Sequence, residues 1–171
     1  MKIKFVLLFT ILSAFSSLAF AQSKTPTFAQ YAAKVETIKN VRVNLKSHKY
    51  ANTFRTNLRN AAKEAVNFAG HFILTTWGCG TNCSQTAIID ARNGRVFFPD
   101  QLQEIGIGYC ESLEDAEPIV SQADSRLLVL NGFKGGDLNV KTAPCGIYHL
   151  EWTGTKFKQV KFEKKQRIGT S

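Results

Sequence analysis

The sequence predicts an α+β fold in which N-terminal helices pack on an antiparallel β-sheet, arranged as a meander or sandwich and stapled by disulfides. Three observations predict it. Apolar residues follow helical spacing only in the early part of the chain. Alternating apolar and polar segments, separated by glycine-containing turns, fill the later part. The four cysteines are an even number, as disulfide pairing requires. Successive antiparallel units of this kind build a meander or a sandwich.

The early part of the chain is expected to form two helices with a short strand between them. Pro26 suits the first position of a helix capped by Thr25, because apolar residues follow it at helical spacing. Val41 to Leu45 alternates apolar and polar residues, which predicts a half-buried edge strand. The clearest helix runs from about Lys49 to Glu64 with one apolar stripe, and Ser47 is a reasonable N-cap.

The remaining chain is predicted to be β-rich. Asn93-Gly94 is typical of a hairpin turn. Gln101 to Gln122 shows little periodicity and is expected to be a connection, and Asn131 to Gly146 a long glycine-rich loop. The predicted strands are Phe72 to Trp77, Gln85 to Asp90, Arg95 to Phe98, Arg126 to Leu130, Ile147 to Trp152 and Lys156 to Phe162.

Residues 1–21 predict a secretory signal peptide. Lys2 and Lys4 form a positive region, Phe5 to Phe20 is mostly apolar, and Ala19-Phe20-Ala21 supplies a small-x-small cleavage pattern. The apolar run is short and interrupted by serines, which favours export over membrane anchoring, and no later segment is apolar enough to span a bilayer. We therefore expect a periplasmic or secreted protein, cleaved near Ala21.

Residues 22–171 are expected to form a single domain, because they show no linker and no low-complexity tract and are of ordinary domain size. The formal net charge of the full chain is +9, and cleavage of the signal removes two lysines. The remaining positive charge favours encounter with anionic partners. A simpler explanation of the lysines near the C-terminus is that they lie on a strand edge and discourage aggregation through it.

The cysteines of an exported chain are expected to form two disulfides, and four cysteines allow three pairings. We favour Cys79 with Cys83 and Cys110 with Cys145, because Gly80-Thr81-Asn82 can turn the chain back between the first two. On the chain-entropy model the short ring stabilises by about 2 kcal/mol and the long one by about 4 kcal/mol. A crossed pairing would instead pin the Cys79 to Cys83 segment to both distant loops.

The most unusual composition lies between Asn67 and Cys83. Asn67-Phe68-Ala69-Gly70-His71 leads through a strand to Trp77-Gly78-Cys79-Gly80-Thr81-Asn82-Cys83. These two segments resemble a group of small exported bacterial proteins of unknown function, which pair the same motifs with a following Asp-containing hairpin. The resemblance covers roughly Phe54 to Pro99. It implies no assigned activity, so it identifies no catalytic residue.

The histidine and cysteines of this segment suggest several kinds of chemistry, and each is disfavoured. A nucleophilic Cys79 or Cys83 with His71 as base is poorly served by a neighbouring thiol in an oxidising compartment, where the pair would oxidise. A labile, regulatory disulfide is an alternative, although the spacing is not that of thioredoxin. Metal binding by His71, Cys79 and Cys83 is opposed by an extended spacing of about 25 Å. We therefore predict no catalytic residue, no metal site and no cofactor.

The alternative function is a small basic secreted hydrolase, such as a ribonuclease, with His71 and His149 as general acid and base. His48 is also available. Phosphate-binding loops, the Gly-x-Ser-x-Gly elbow, the His-Glu-x-x-His helix and aromatic RNA-binding signatures are absent from the sequence, so nucleic acid is not the expected partner.

The favoured interpretation is a non-catalytic binding module that uses the Trp77 to Cys83 loop. A disulfide-closed loop is preorganised, which lowers the entropic cost of recognition. The expected binding residues are His71, Trp77, Thr81 and Asn82. The expected partner is an unknown protein, for which this chain would act as an inhibitor or immunity factor, or an anionic envelope polymer. The competing explanation is that Trp77 packs on the disulfide and the loop is only a structural corner.

Overall fold

The structure is a computed structural model that describes residues 24–81, 83–106, 110–135 and 143–168. The predicted signal peptide, residues 1–21, and Asn82 lie outside the described residues. Within those ranges, no helix has the length and apolar character needed to cross a membrane.

Within these described ranges, eight antiparallel strands form one sheet, and the prediction of an antiparallel β-sheet is confirmed. Most strands begin or end within a few residues of the predicted bounds, and two short strands arise inside the predicted connection. The strands are β1 (Phe72–Gly80), β2 (Cys83–Asp90), β3 (Val96–Phe97), β4 (Ile105–Gly106), β5 (Ile119–Ser121), β6 (Leu127–Phe133), β7 (Cys145–Trp152) and β8 (Phe157–Lys164).

The strand order is β1-β2-β4-β6-β7-β8, with β3 beside β2 and β5 beside β6. Two extended ladders, β1–β2 and β6–β7–β8, are joined through the short β4. On the β6 side, the described residues of this junction form one register pair, Gly106 opposite Phe133. As far as the structure describes it, the sheet therefore consists of two well-paired halves with a narrow seam between them, and β1 and β8 are its outer strands.

The main core lies between these two halves. Phe72 and Ile88 of the first half share one cluster with Leu130, Tyr148 and Trp152 of the second. The Trp152 ring is fully buried, and its centroid lies 5.6 Å from that of Phe72 in an edge-on arrangement. The two halves of the sheet therefore share one buried core.

The opposite face of the β1–β2 ladder carries a second cluster. Ile73 and Ile89 on this face pack with Leu58 of the helix α1 (Arg55–Ala61). Because successive side chains of a strand point to opposite faces, β1 contributes Phe72 to one cluster and Ile73 to the other. The first hairpin is thus covered on both faces along most of its length.

The predicted N-terminal helix after Pro26 is wrong. The structure has a 3-10 turn at Phe28–Tyr31 with no buried residue. The chain then extends, because the Ala33 N–H donates to the Asp124 carbonyl and the Tyr31 carbonyl accepts from the Arg126 N–H. These main-chain bonds to the segment before β6 replace the bonds of a helix.

The second predicted helix is much shorter than expected. It begins at Arg55 and not near Lys49. The residues before Arg55 that belong to the predicted apolar stripe form successive turns. The predicted cap Ser47 is used elsewhere, since its hydroxyl donates to the Asn44 carbonyl and accepts from the Val96 N–H. The cap that would start a longer helix is therefore not available.

The predicted strand Val41 to Leu45 has the expected alternation of half-buried and exposed residues but is not a strand. Its apolar side chains pack against the second cluster. A main-chain hydrogen bond, donated by the Asn44 N–H to the Gly94 carbonyl, holds it to the turn between β2 and β3. The alternation of apolar and polar residues here reflects packing of one side of the segment, without the hydrogen bonds of a β-ladder.

The Cys110–Cys145 disulfide lies in a third, smaller cluster with Leu113, Phe133 and Ala143. Both cysteines are buried. The bond ties the segment after β4 to the first residue of β7, so it fastens the two halves of the sheet close to the narrow seam.

Candidate functional site

The turn between β1 and β2 projects beyond the packed part of the first hairpin. We call Trp77 to Thr81 together with Cys83 the hairpin tip. The disulfide pairs Cys79 with Cys83 across it, with the two Cα atoms 5.2 Å apart. All residues from Gly78 to Thr81 are exposed. The predicted loop is therefore the closed end of a ladder, because β1 continues to Gly80 and β2 starts at Cys83.

Trp77 anchors the hairpin tip to the body of the molecule. Its ring centroid lies 5.0 Å from that of Phe54 and 6.3 Å from that of Phe98. His48 stacks on Phe98 at 4.8 Å, and Tyr50, which is 43% exposed, meets Phe98 edge-on at 5.9 Å. Trp77 thus belongs to an aromatic cluster that joins the hairpin tip to the segment before α1.

At the two glycines of the hairpin tip, no side chain covers the backbone. A Cβ added to Gly78 or Gly80 would meet no heavy atom within 4 Å. Gly80 has a φ of +142°, a conformation that other residues rarely adopt, so its glycine is needed for the turn. A partner can therefore approach this main chain closely from the side of the glycines.

His71 lies at the other end of β1, away from the hairpin tip. Its Nε2 is 3.9 Å from Asp90 Oδ1 at the far end of β2. The eight residues from His71 to Cys79 span about 25 Å of extended strand, and both tip cysteines are bonded to each other. The structure therefore does not bring His71 together with Trp77 and Thr81 in one site.

The surroundings of His71 favour its neutral form. Burial lowers the pKa of this imidazole, and the positive charge of Arg92 lowers it further, while Asp90 and Glu36 oppose the change. Arg92 itself forms an ion pair with Glu36, whose Oε2 lies 3.1 Å from Arg92 Nε. The hydrogen bond from Arg92 also lowers the pKa of Glu36.

His149 lies on β7 and is only 4% exposed. Its Nε2 is 3.2 Å from Glu163 Oε1, which also lies 3.0 Å from Lys161 Nζ. The hydrogen bond from Lys161 lowers the pKa of Glu163. Among the described residues, no hydrogen bond or ion pair joins His71 to His149, and His149 is buried.

A cavity lies between residues 35–41 and 59–66, apart from the hairpin tip. This cavity has a volume of about 730 Å³ and mixes apolar walls with the exposed cations Lys39, Arg59 and Lys63. Glu36, which also lines it, is paired with Arg92. Across the ranges that the structure covers, no group of three or more His, Cys, Asp or Glu residues could hold a metal ion.

Comparisons with known proteins give no relative. No protein-family model matches the chain, and no curated protein and no solved structure is significantly similar to it. The resemblance suggested by the two sequence motifs stays a prediction.

The Asn-Phe-Ala-Gly-His motif has a structural role that the sequence did not reveal. Asn67 bonds through its side-chain amide to both main-chain groups of Leu74, and Phe68 is fully buried. Ala69 and Gly70 have positive φ angles and donate their N–H groups to the segment before β6. The motif therefore docks the start of β1 onto the second half of the molecule.

Sequence reasoning also missed Phe54 and Phe98 as neighbours of Trp77. Phe54 belonged to the apolar stripe of the predicted helix, and Phe98 closed a predicted strand. Their meeting at the hairpin tip depends on how α1 packs across the first hairpin, which no local pattern specifies.

Proposed function

We propose that the protein is an exported, disulfide-bonded binding module that recognises its partner through the hairpin tip and performs no catalysis of its own. The observation that carries the proposal is the combination of exposure and support at the hairpin tip. Gly78 to Thr81 are exposed, while the Cys79–Cys83 disulfide and the packing of Trp77 hold them in one arrangement.

Preorganisation is what makes this tip suited to binding. An exposed turn normally loses conformational entropy when it binds, and a turn that is already fixed loses less. The ring of Trp77 lies against Phe54 within a cluster that includes the exposed Tyr50, so aromatic surface adjoins the bare main chain. Aromatic rings beside a rigid backbone are typical of surfaces that supply much of the binding energy.

The proposed partner is a protein, which this chain would bind as an inhibitor or immunity factor, or an anionic envelope polymer. The two disulfides are consistent with an exported protein, since such bonds persist in oxidising compartments. The positive net charge of the chain, +9 before any signal cleavage, favours encounter with an anionic partner. His71, at the opposite end of β1, is not part of this proposed surface.

Affinity capture from an envelope extract tests the proposal. We expect Thr81→Arg to lose at least one partner that the wild type captures, because the added side chain projects from the exposed turn. Thr155→Arg is the matched control, since Thr155 is an exposed threonine in the turn between β7 and β8. Identical partners for Thr81→Arg and wild type would contradict the proposal, whereas a loss shared by both variants would assign the effect to charge alone.

A further inference from the structure

The outer edge of β1 is partly occupied by the chain itself. β1 lies at one end of the sheet and pairs with β2 on one side only. On the other side, Asn67 Nδ2 donates to the Leu74 carbonyl at 2.9 Å, and the Leu74 N–H donates to Asn67 Oδ1 at 2.7 Å. The Phe72 N–H and carbonyl are likewise bonded to the main chain around Phe68. One amide side chain thus takes the place of a neighbouring strand at Leu74.

The same edge is open further along the strand. In an antiparallel ladder the outward main-chain groups recur at every second residue, so Thr76 and Gly78 face the same way as Leu74. The register with β2 is regular up to Gly78, which lies opposite Ser84. No described residue hydrogen-bonds to the main chain of Thr76 or Gly78 from outside the β1–β2 ladder, and both residues are exposed.

The geometry points to β-strand addition at this edge: an extended, acidic segment of a partner protein pairs with the main chain of Thr76 and Gly78. An extended backbone presents donors and acceptors with the same two-residue repeat as the open edge. No neighbouring atom lies within 4 Å of a Cβ position at Gly78, so the face of the sheet beside this edge is uncovered there. This inference rests on the proposed function and names how the hairpin tip recognises its partner.

The acidic character of the partner follows from charge near β1. The helix α1 packs on β1 and carries Arg55 and Arg59 exposed on its surface, with no acidic residue in its first turn. Lys49, which precedes the helix, lies over the ring of Tyr50 in the aromatic cluster. These exposed cations favour an added strand that carries carboxylates.

A partner segment fits this edge better than a second copy of the chain. The open stretch from Thr76 to Gly78 is about 10 Å long, and pairing two such stretches alone would bury far less than the roughly 1,000 Å² of a stable dimer interface. A flexible segment of another protein can continue over the neighbouring aromatic cluster and so bury more area than this short stretch provides.

Selection from a display library of random heptapeptides on the disulfide-bonded protein tests the inference. We expect enrichment of acidic sequences. Gly78→Pro should weaken their binding about tenfold, because it removes one outward N–H and places a ring on the edge. Gly78→Ala is the matched control and should bind within about twofold of wild type, since it keeps the N–H and adds a methyl group in open space. Proline is tolerated where the strand N–H faces solvent, so the fold should survive.

Amide hydrogen exchange of the wild-type protein gives a second measurement that needs no variant. On binding an enriched peptide, the Thr76 and Gly78 amides should exchange more slowly, while the Leu74 amide, already bonded to Asn67, should change little. Failure to enrich any peptide, enrichment of basic sequences, or unchanged exchange at Thr76 and Gly78 would overturn strand addition.

The outcomes separate this inference from the function on which it rests. If Thr81→Arg loses an envelope partner but Gly78→Pro keeps it, the hairpin tip binds by another mode and strand addition is wrong. If neither variant changes any captured partner, the hairpin tip is not the binding surface and both proposals fail.

Discussion

Gly70 shows how single residues fix the entry into β1. Its φ is +85°, and a Cβ at this position would lie 2.6 Å from the Lys34 carbonyl oxygen. Its N–H donates to Ala123 and its carbonyl accepts from Glu36, so three separate segments meet here. The glycine in the Asn-Phe-Ala-Gly-His motif is therefore required by close main-chain packing, which explains its place without any catalytic role.

Gly70→Ala is expected to destabilise the protein by about 1–3 kcal/mol, because the substitution adds a steric clash to an unfavourable φ. Gly154→Ala is the control. Gly154 also has a positive φ, +96°, but a Cβ there would meet nothing within 4 Å, so its cost should be near 1 kcal/mol. Urea denaturation of both variants measures the difference, and equal losses would show that Lys34 does not crowd position 70.

The two disulfides differ in their elements and in their burial. Cys79–Cys83 closes the exposed end of one hairpin, whereas Cys110–Cys145 joins segments 35 residues apart inside a packed cluster. The first has little chain entropy to restrict and the second has more, about 2 against 4 kcal/mol on the chain-entropy model. The hairpin bond thus shapes a surface, and the buried bond stabilises the fold.

Brief reduction of the native protein should open the hairpin bond first. Cys79 is exposed, while Cys110 and Cys145 are 1% and 2% exposed, so a reductant reaches only the first bond without unfolding. Alkylation followed by mass mapping should therefore label Cys79 and Cys83 alone. Equal labelling of all four cysteines under native conditions would contradict the burial of the second bond, and labelling of all four after denaturation is the control.

The sequence predicted the strands better than the helices for a physical reason. The predicted strands lie close to the observed bounds because turn residues such as Asn93-Gly94 separate them, whereas the segment after Pro26 forms main-chain bonds to the segment around Asp124 in place of helical bonds. The exposed turn at Thr81 could be predicted from its neighbouring glycine and cysteines. The role of Asn67, near the start of β1, could not. An amide that completes a sheet edge at Leu74 depends on three-dimensional proximity and leaves no periodic signal.

At the scale of the whole molecule, the histidines and carboxyl groups with lowered pKa values all reduce folding stability on acidification. Burial lowers the pKa of His71 and of His48 below the ordinary value of 6.5. The unfolded chain then binds protons more readily than the folded one as the pH falls below about 6.5, so folding stability decreases. The lowered pKa values of Glu36 and Glu163 add a further loss near and below pH 4.5.

We expect the urea midpoint of the wild type to be lower at pH 5.5 than at pH 7.5. The double variant His48→Asn/His71→Asn should show a smaller difference, because it removes two groups whose protonation favours the unfolded chain. Comparing midpoints within each protein cancels any change that the substitutions make at both pH values. An undiminished difference in the double variant would show that other groups control the acid response.

The short ring at the hairpin tip has a consequence for how the thiols find their partners during biosynthesis. Four cysteines permit three pairings, but the probability of an encounter falls as the intervening chain lengthens. Cys79 and Cys83 are four residues apart and lie on adjoining strands of one hairpin. Their early oxidation removes both from the pool of reactive thiols and leaves Cys110 only Cys145 to meet. The hairpin cystine, once formed, thereby excludes both crossed isomers.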